Sequence, residues 1–143
     1  MKKVIIISIS SDIGLNLSNF YLNNNFKVIG TYRNKKIIDT SYKNNKLYYL
    51  KLNLANNQSI TKFCKTIKKY HNDWDYILFC NGDLKPIGKF IDTNFKNWEK
   101  SLKINCISNL KILNFLLKKN KKLRKILFFA GGGTNNAVDY YSA

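Results

Sequence analysis

A chain of 143 residues that is 45% hydrophobic and 14% aromatic has the size and apolar content of one folded domain, spanning residues 1–143, and is too apolar to be disordered. The formal charge of +17 comes almost wholly from lysine, with asparagine and isoleucine enriched alongside; that joint bias, and lysines scattered over predicted helices and turns, argue for a solvated basic surface and against a nucleic-acid partner. Three widely spaced cysteines, Cys64, Cys80 and Cys106, and a single histidine, His71, offer no metal-ligand spacing, so no metal is expected and all three cysteines read as small core residues.

Lys3 to Ser8 is a continuously apolar run, as in a parallel strand covered on both faces. Its apolar part is far too short to span a bilayer, and Ser8, Ser10, Ser11 and Asp12 break it where a signal peptide would continue, so a cytoplasmic protein without a membrane partner is expected. Ile13, Leu17, Phe20 and Tyr21 recur at helical spacing, and Asn23, Asn24 and Asn25 supply a left-handed stop. A second strand runs from Phe26 to Thr31, followed by a polar, basic stretch to Asn45 that reads as loop with a short helix. Leu47 to Leu52 is a third strand, and Ile60, Phe63, Cys64 and Ile67 mark a helix ending near His71. A fourth strand, Asp75 to Cys80, leads into a loop from Gly82 to Asn94. Phe95, Trp98, Leu102, Cys106, Leu110, Leu113 and Leu117 then form one face of a long helix, read as packing on the core, and Lys125 to Phe129 is a fifth strand before Gly131-Gly132-Gly133. Strands alternating with helices imply right-handed crossovers and a parallel sheet with helices on both faces.

The first strand-to-helix turn, Ser8-Ile9-Ser10-Ser11-Asp12-Ile13-Gly14, carries the most chemistry. A dinucleotide site needs a tight turn there, a helix N-terminus aimed at a diphosphate and a small residue where helix meets strand; Gly14 and the serines fit. The plainer alternative is a serine-capped helix with no ligand. At the end of the second strand stand Tyr32 and Arg33, the latter one of only two arginines in the chain. An acidic residue at this place holds a ribose 2′-hydroxyl, whereas arginine suits a 2′-phosphate, so NADP is expected over NAD.

These segments resemble the short-chain dehydrogenase/reductase family. Its opening turn is Thr-Gly-x-x-x-Gly-x-Gly; this chain matches at Ser10, Ser11, Ile13 and Gly14, with Ile7, Ser8 and Asp12 replacing the threonine and the first two glycines. Leu52-Asn53-Leu54 falls where the family has an aspartate and a hydrophobic residue beside the adenine, and an asparagine can donate to and accept from a base edge. Phe79-Cys80-Asn81-Gly82 falls at the family's Asn-Asn-Ala-Gly, matching only at Gly82. Lys103-Ile104-Asn105 resembles the family's hydrophobic-Asn pair, whose asparagine supports a proton relay and a helix kink. The resemblance implies a three-layer Rossmann fold, a doubly wound parallel sheet of strand order 3-2-1-4-5, incomplete at its C-terminus.

The run Asp139-Tyr140-Tyr141-Ser142-Ala143 resembles the approach to the family's Tyr-x-x-x-Lys motif. Either Tyr141 is the catalytic tyrosine or the next residue would be; in both cases the lysine lies outside the chain. Thr134 stands too near Tyr141 for the family's usual serine spacing. The resemblance covers a little over half of a typical family domain, and the chain reads as a fragment of a longer enzyme rather than a natural truncation. It implies hydride transfer between NADP(H) and a carbonyl or secondary alcohol on a small-molecule substrate, with homo-oligomerisation through the long helix when full length and no activity for the fragment alone. The alternative is a non-catalytic dinucleotide-binding module or inactive paralogue.

Overall fold

The computed structural model describes residues 1–34, 45–118 and 122–129. Strand β1 (Lys3–Ile7) is flanked by β2 (Lys27–Tyr32) and β4 (Tyr76–Phe79), with β3 (Leu47–Lys51) outside β2 and β5 (Lys125–Phe128) outside β4. All four pairings are parallel, and the order β3-β2-β1-β4-β5 is that of a doubly wound Rossmann sheet. Because the chain builds outward from β1 on one side and then returns to build on the other, the carboxyl ends of β1 and β4 form the topological switch point.

Alternation along the strands sends neighbouring side chains to opposite faces. Ile5, Ile7, Ile29, Ile77 and Phe79 meet Ile60, Phe63, Cys64 and Ile67 of helix α2 (Asn57–Tyr70) and Ile112, Leu113 and Leu116 of helix α4 (Ser108–Leu117). On the other face Val4, Ile6, Val28 and Leu78 meet Leu17 and Tyr21 of helix α1 (Asp12–Asn23). Burial on both faces is why β1 has no polar alternation. Each of its fully buried Val and Ile side chains contributes about 1.5–3 kcal/mol. At the opposite, amino-terminal end of the sheet, the Arg124 guanidinium lies 4.0 Å from the centroid of the Trp74 ring and donates to the Asn72 carbonyl, which ties the start of β5 to β4.

Two helical faces differ from the sequence reading. On α1 the buried positions are Gly14 and Ser18, while Ile13 and Phe20 are exposed; small residues face the sheet because α1 approaches it closely. The long helix consists of α3 (Phe95–Leu102), a π-helical turn (Lys103–Ile107) and α4. Its inward face carries Ser101, Ser108, Asn109, Ile112, Leu113 and Leu116, whereas Phe95, Leu102, Cys106, Leu110 and Leu117 are exposed. The buried serines are tolerated because each has a backbone partner, Ser101 Oγ donating to the Asp83 carbonyl and Ser108 Oγ to Leu54, while Asn109 Nδ2 donates to the Asn105 carbonyl and its Oδ1 has no partner among the described residues. Cys106 is therefore a surface residue, and only Cys64 and Cys80 belong to the interior.

Candidate functional site

The turn after β1 is held from two sides. Ser8 adopts a left-handed φ of 62°, and its N–H donates to Thr31 Oγ1 at 2.9 Å while the Ile9 N–H donates to the Thr31 carbonyl at 2.9 Å. Ser11 caps α1: its hydroxyl donates to the Ser8 carbonyl and accepts the Gly14 N–H at 3.0 Å. A Cβ on Gly14 would overlap the Ser8 carbonyl and stand 2.9 Å from Ile9 Cα, so only glycine lets helix and strand meet this closely. Gly30 is bound by the same logic, since a Cβ there would overlap the Ile9 side chain. The amides of Ser10, Asp12 and Ile13 have no protein acceptor among the described residues, leaving donors at a helix N-terminus.

Of these three residues Ser10 borders a cleft of about 300 Å³ at the carboxyl ends of β1 to β4. Of the expected cofactor residues, Ser8, Ser10, Ser11, Tyr32, Arg33, Asn53, Leu54, Cys80, Asn81 and Gly82 line it together. Asp12, Ile13 and Gly14 do not line it; the first two have exposed side chains and Gly14 is the packing contact beneath the turn. Thr31, Asn34, Leu52, Ala55, Asp83 and Ile104 also line the cleft and were not foreseen, although most adjoin strand ends already singled out. Thr31 had a legible signal, a hydroxyl inside an otherwise apolar buried strand. A Cβ on Gly82 would meet no protein atom, which leaves that flank of the cleft open. Arg33 is exposed, and its guanidinium has no protein partner among the described residues.

Asn105 does not line the cleft but fixes its wall. Its Oδ1 accepts the Asp83 N–H at 2.7 Å and its Nδ2 donates to the Asp83 carbonyl at 2.9 Å. In return Asn81 Nδ2 donates to the Ile104 carbonyl at 3.0 Å, so the π-helical turn and the loop after β4 clamp each other. Asn105 lies within this π turn, where a helix kink is expected from the resemblance, and Ile104 of the same turn lines the wall. Burial pushes the Cys80 thiol up to about 11, so it lines the cleft as a neutral group. Tyr141, Thr134 and the glycine run at 131–133 lie outside the described residues.

The family model for short chain dehydrogenases matches residues 2–136. The chain belongs to the short-chain dehydrogenase family. That family consists of oxidoreductases that are generally NAD(P)-dependent. A short chain dehydrogenase/reductase from Saccharomyces cerevisiae superposes with a TM-score of 0.88 at 16% identity, over 99% of this chain and 58% of that one. A short chain dehydrogenase family protein from Francisella tularensis gives 0.82 at 24% identity, over 99% and 56%. A short chain dehydrogenase from Leptospira borgpetersenii, solved with bound NAD+, gives 0.71 at 20% identity, over 80% and 44%. At these identities the likeness concerns the fold, and the chain covers between 44% and 58% of the length of these short-chain dehydrogenases. None of the curated proteins compared with it matches in sequence. Among the described residues no helix is long and apolar enough to cross a membrane, and no His, Cys, Asp or Glu cluster suits a metal ion.

Proposed function

We propose that residues 1–143 form the NADP-binding part of an oxidoreductase that interconverts a small carbonyl compound and its secondary alcohol. The bound nicotinamide would supply the hydride. The fit of a dinucleotide rests on the unpaired amides of Ser10, Asp12 and Ile13 at the start of α1, which suit a diphosphate, and on a cleft running from that turn past the ends of β2 and β3. The observation that carries the choice of NADP is Arg33: a guanidinium without a protein partner among the described residues, on the wall of that cleft at the end of β2. Arginine there offers paired donors to a 2′-phosphate, where an NAD site uses a carboxylate.

Asn105 is proposed to support a proton relay and Tyr141 to exchange the proton with the substrate oxygen, the tyrosine reading resting on sequence alone. A phenol with an ordinary pKa near 10 needs a neighbouring cation for that work, and the lysine expected four residues after Tyr141 does not fall within the 143 residues, so this chain by itself is expected to bind cofactor without turnover. Homo-oligomerisation is supported by the exposed apolar side chains of Phe95, Leu102, Leu110 and Leu117 along α3 and α4.

Calorimetric titration with NADPH and NADH tests the assignment. NADPH should bind at least about tenfold more tightly, since a charge-assisted contact contributes roughly 1.5–3 kcal/mol, and Arg33→Ala should abolish the difference. Equal affinities of the wild-type chain for both nucleotides would defeat the 2′-phosphate assignment.

A further inference from the structure

We infer that the base end of this cleft selects a purine by an acceptor at its 6-position, so that a 6-oxopurine dinucleotide is bound at least as tightly as the 6-aminopurine one. The inference rests on the dinucleotide reading and concerns what Asn53 offers. A diphosphate at the α1 N-terminus and a ribose at the end of β2 direct the attached base outward toward β3, the next strand in the sheet. There the cleft is walled by the buried side chains of Leu52 and Leu54, which suit the flat face of a base, with Asn53 between them as the polar element.

The hydrogen bonds of Asn53 decide which end of its amide a ligand meets. Its N–H donates to Ser59 Oγ at 2.9 Å, and its carbonyl accepts the Asn56 N–H at 3.0 Å. Its Oδ1 accepts the Ala55 N–H at 3.0 Å, and since a backbone N–H can only donate, this contact sets the amide orientation. With Oδ1 turned back into its own loop, Nδ2 is the end left for a ligand, and it has no protein acceptor among the described residues. The neighbouring Leu54 N–H lacks one as well. Both residues line the cleft, so two donors are available to whatever binds. Beside its N7 or N1 acceptor adenine presents a 6-amino donor, which would leave one of these two donors facing a donor, whereas hypoxanthine presents an O6 acceptor with an N7 acceptor on one edge and an N1–H donor on the other, so it is better matched on the first edge and no worse matched on the second. A donor buried against a donor is costly, and sites built on such contacts discriminate strongly.

An aspartate in place of Asn53 would keep the Ala55 bond with one carboxylate oxygen and present the other as an acceptor, reversing the preference without dismantling the loop. The test is calorimetric titration of the wild-type chain and of Asn53→Asp with NADPH and with its reduced nicotinamide hypoxanthine counterpart. The wild-type chain should bind the hypoxanthine form as tightly or more tightly, and Asn53→Asp should move the affinity ratio about tenfold toward adenine. Wild-type preference for NADPH, or an affinity ratio that Asn53→Asp leaves unchanged, overturns the inference while sparing the dinucleotide reading. Failure of the wild-type chain to bind either nucleotide overturns both. The two wild-type titrations decide the matter even if the variant does not fold.

Discussion

A methyl group added to Gly14 would have to displace backbone, since the Ser8 carbonyl and Ile9 Cα stand in its way rather than the end of a flexible side chain. Gly14→Ala is expected to lower stability by about 1–3 kcal/mol, read as a fall in the urea midpoint, and to loosen the amide donors above it. Ser8 is the reverse case. It holds a left-handed φ of 62° with a Cβ present, and its contacts in the turn are made by its backbone. Ser8→Gly should raise stability by about 0.5–1 kcal/mol, the relief of the left-handed strain less the entropy glycine adds to the unfolded chain. A lower urea midpoint would mean the hydroxyl holds the turn. The cysteines separate by environment. With Cys80 pushed up to about 11 and Cys64 to about 12 by burial, only about one Cys80 thiol in a thousand is ionised at pH 8. Iodoacetamide at pH 8 should therefore label exposed Cys106 first, with Cys64 and Cys80 following only on unfolding, as peptide mass spectrometry would report.

The long helix shows how an element can carry a clear period and still be read on the wrong face. Its apolar residues recur from Phe95 to Leu117 at helical spacing, yet the sheet is met by a face of serine, asparagine and only three large aliphatics on α4. Apolar residues are not obliged to be inside, and small polar residues can be, once their hydroxyls and amides reach backbone carbonyls. Ile112→Ala should cost about 2–5 kcal/mol, whereas Leu110→Ala, at a site 52% exposed, should shift the stability of the dilute monomer by less than about 0.5 kcal/mol. Equal costs at the two positions in urea melts would return Leu110 to the core. The π turn belongs to the same scale. Asn81 and Asn105 each spend side-chain hydrogen bonds on the other's segment, and this reciprocal clamp places Ile104 on the cleft wall.

Across the molecule, the sheet is sealed unevenly. Val4 to Ile7 of β1 are wholly buried, but Ile126, Leu127, Phe128 and Phe129 at the β5 edge are 39–46% exposed, and no described element pairs with the far side of that strand. An apolar open edge invites association, while a net charge of +17 opposes it. Light scattering of the 143-residue chain should accordingly rise with salt, as the screening length falls from about 30 Å at 0.01 M to about 8 Å at 0.15 M. Scattering that falls with added salt would point to charge pairing between molecules instead.

Strand positions, the parallel sheet and the place of the serine- and glycine-bearing turn were legible without coordinates, because β-branched runs, helical spacing and turn residues are local properties of the chain, while the strand order came with the family resemblance. Of the ten positions lining the cleft that were named in advance, Ser8, Ser10, Ser11, Tyr32 and Arg33 follow from the turn and the strand end in which they sit, whereas Asn53, Leu54, Cys80, Asn81 and Gly82 came from the family resemblance. What required the tertiary structure was direction. Which face of α3 and α4 turns inward, why Gly30 must lack a side chain and which end of the Asn53 amide is left without a protein partner among the described residues all depend on partners distant in sequence or on a hydrogen bond closed only in the folded loop. Periodicity reports that a helix has two faces, but only the carbonyls waiting at Asp83 and Leu54 decide that the serine face is the buried one.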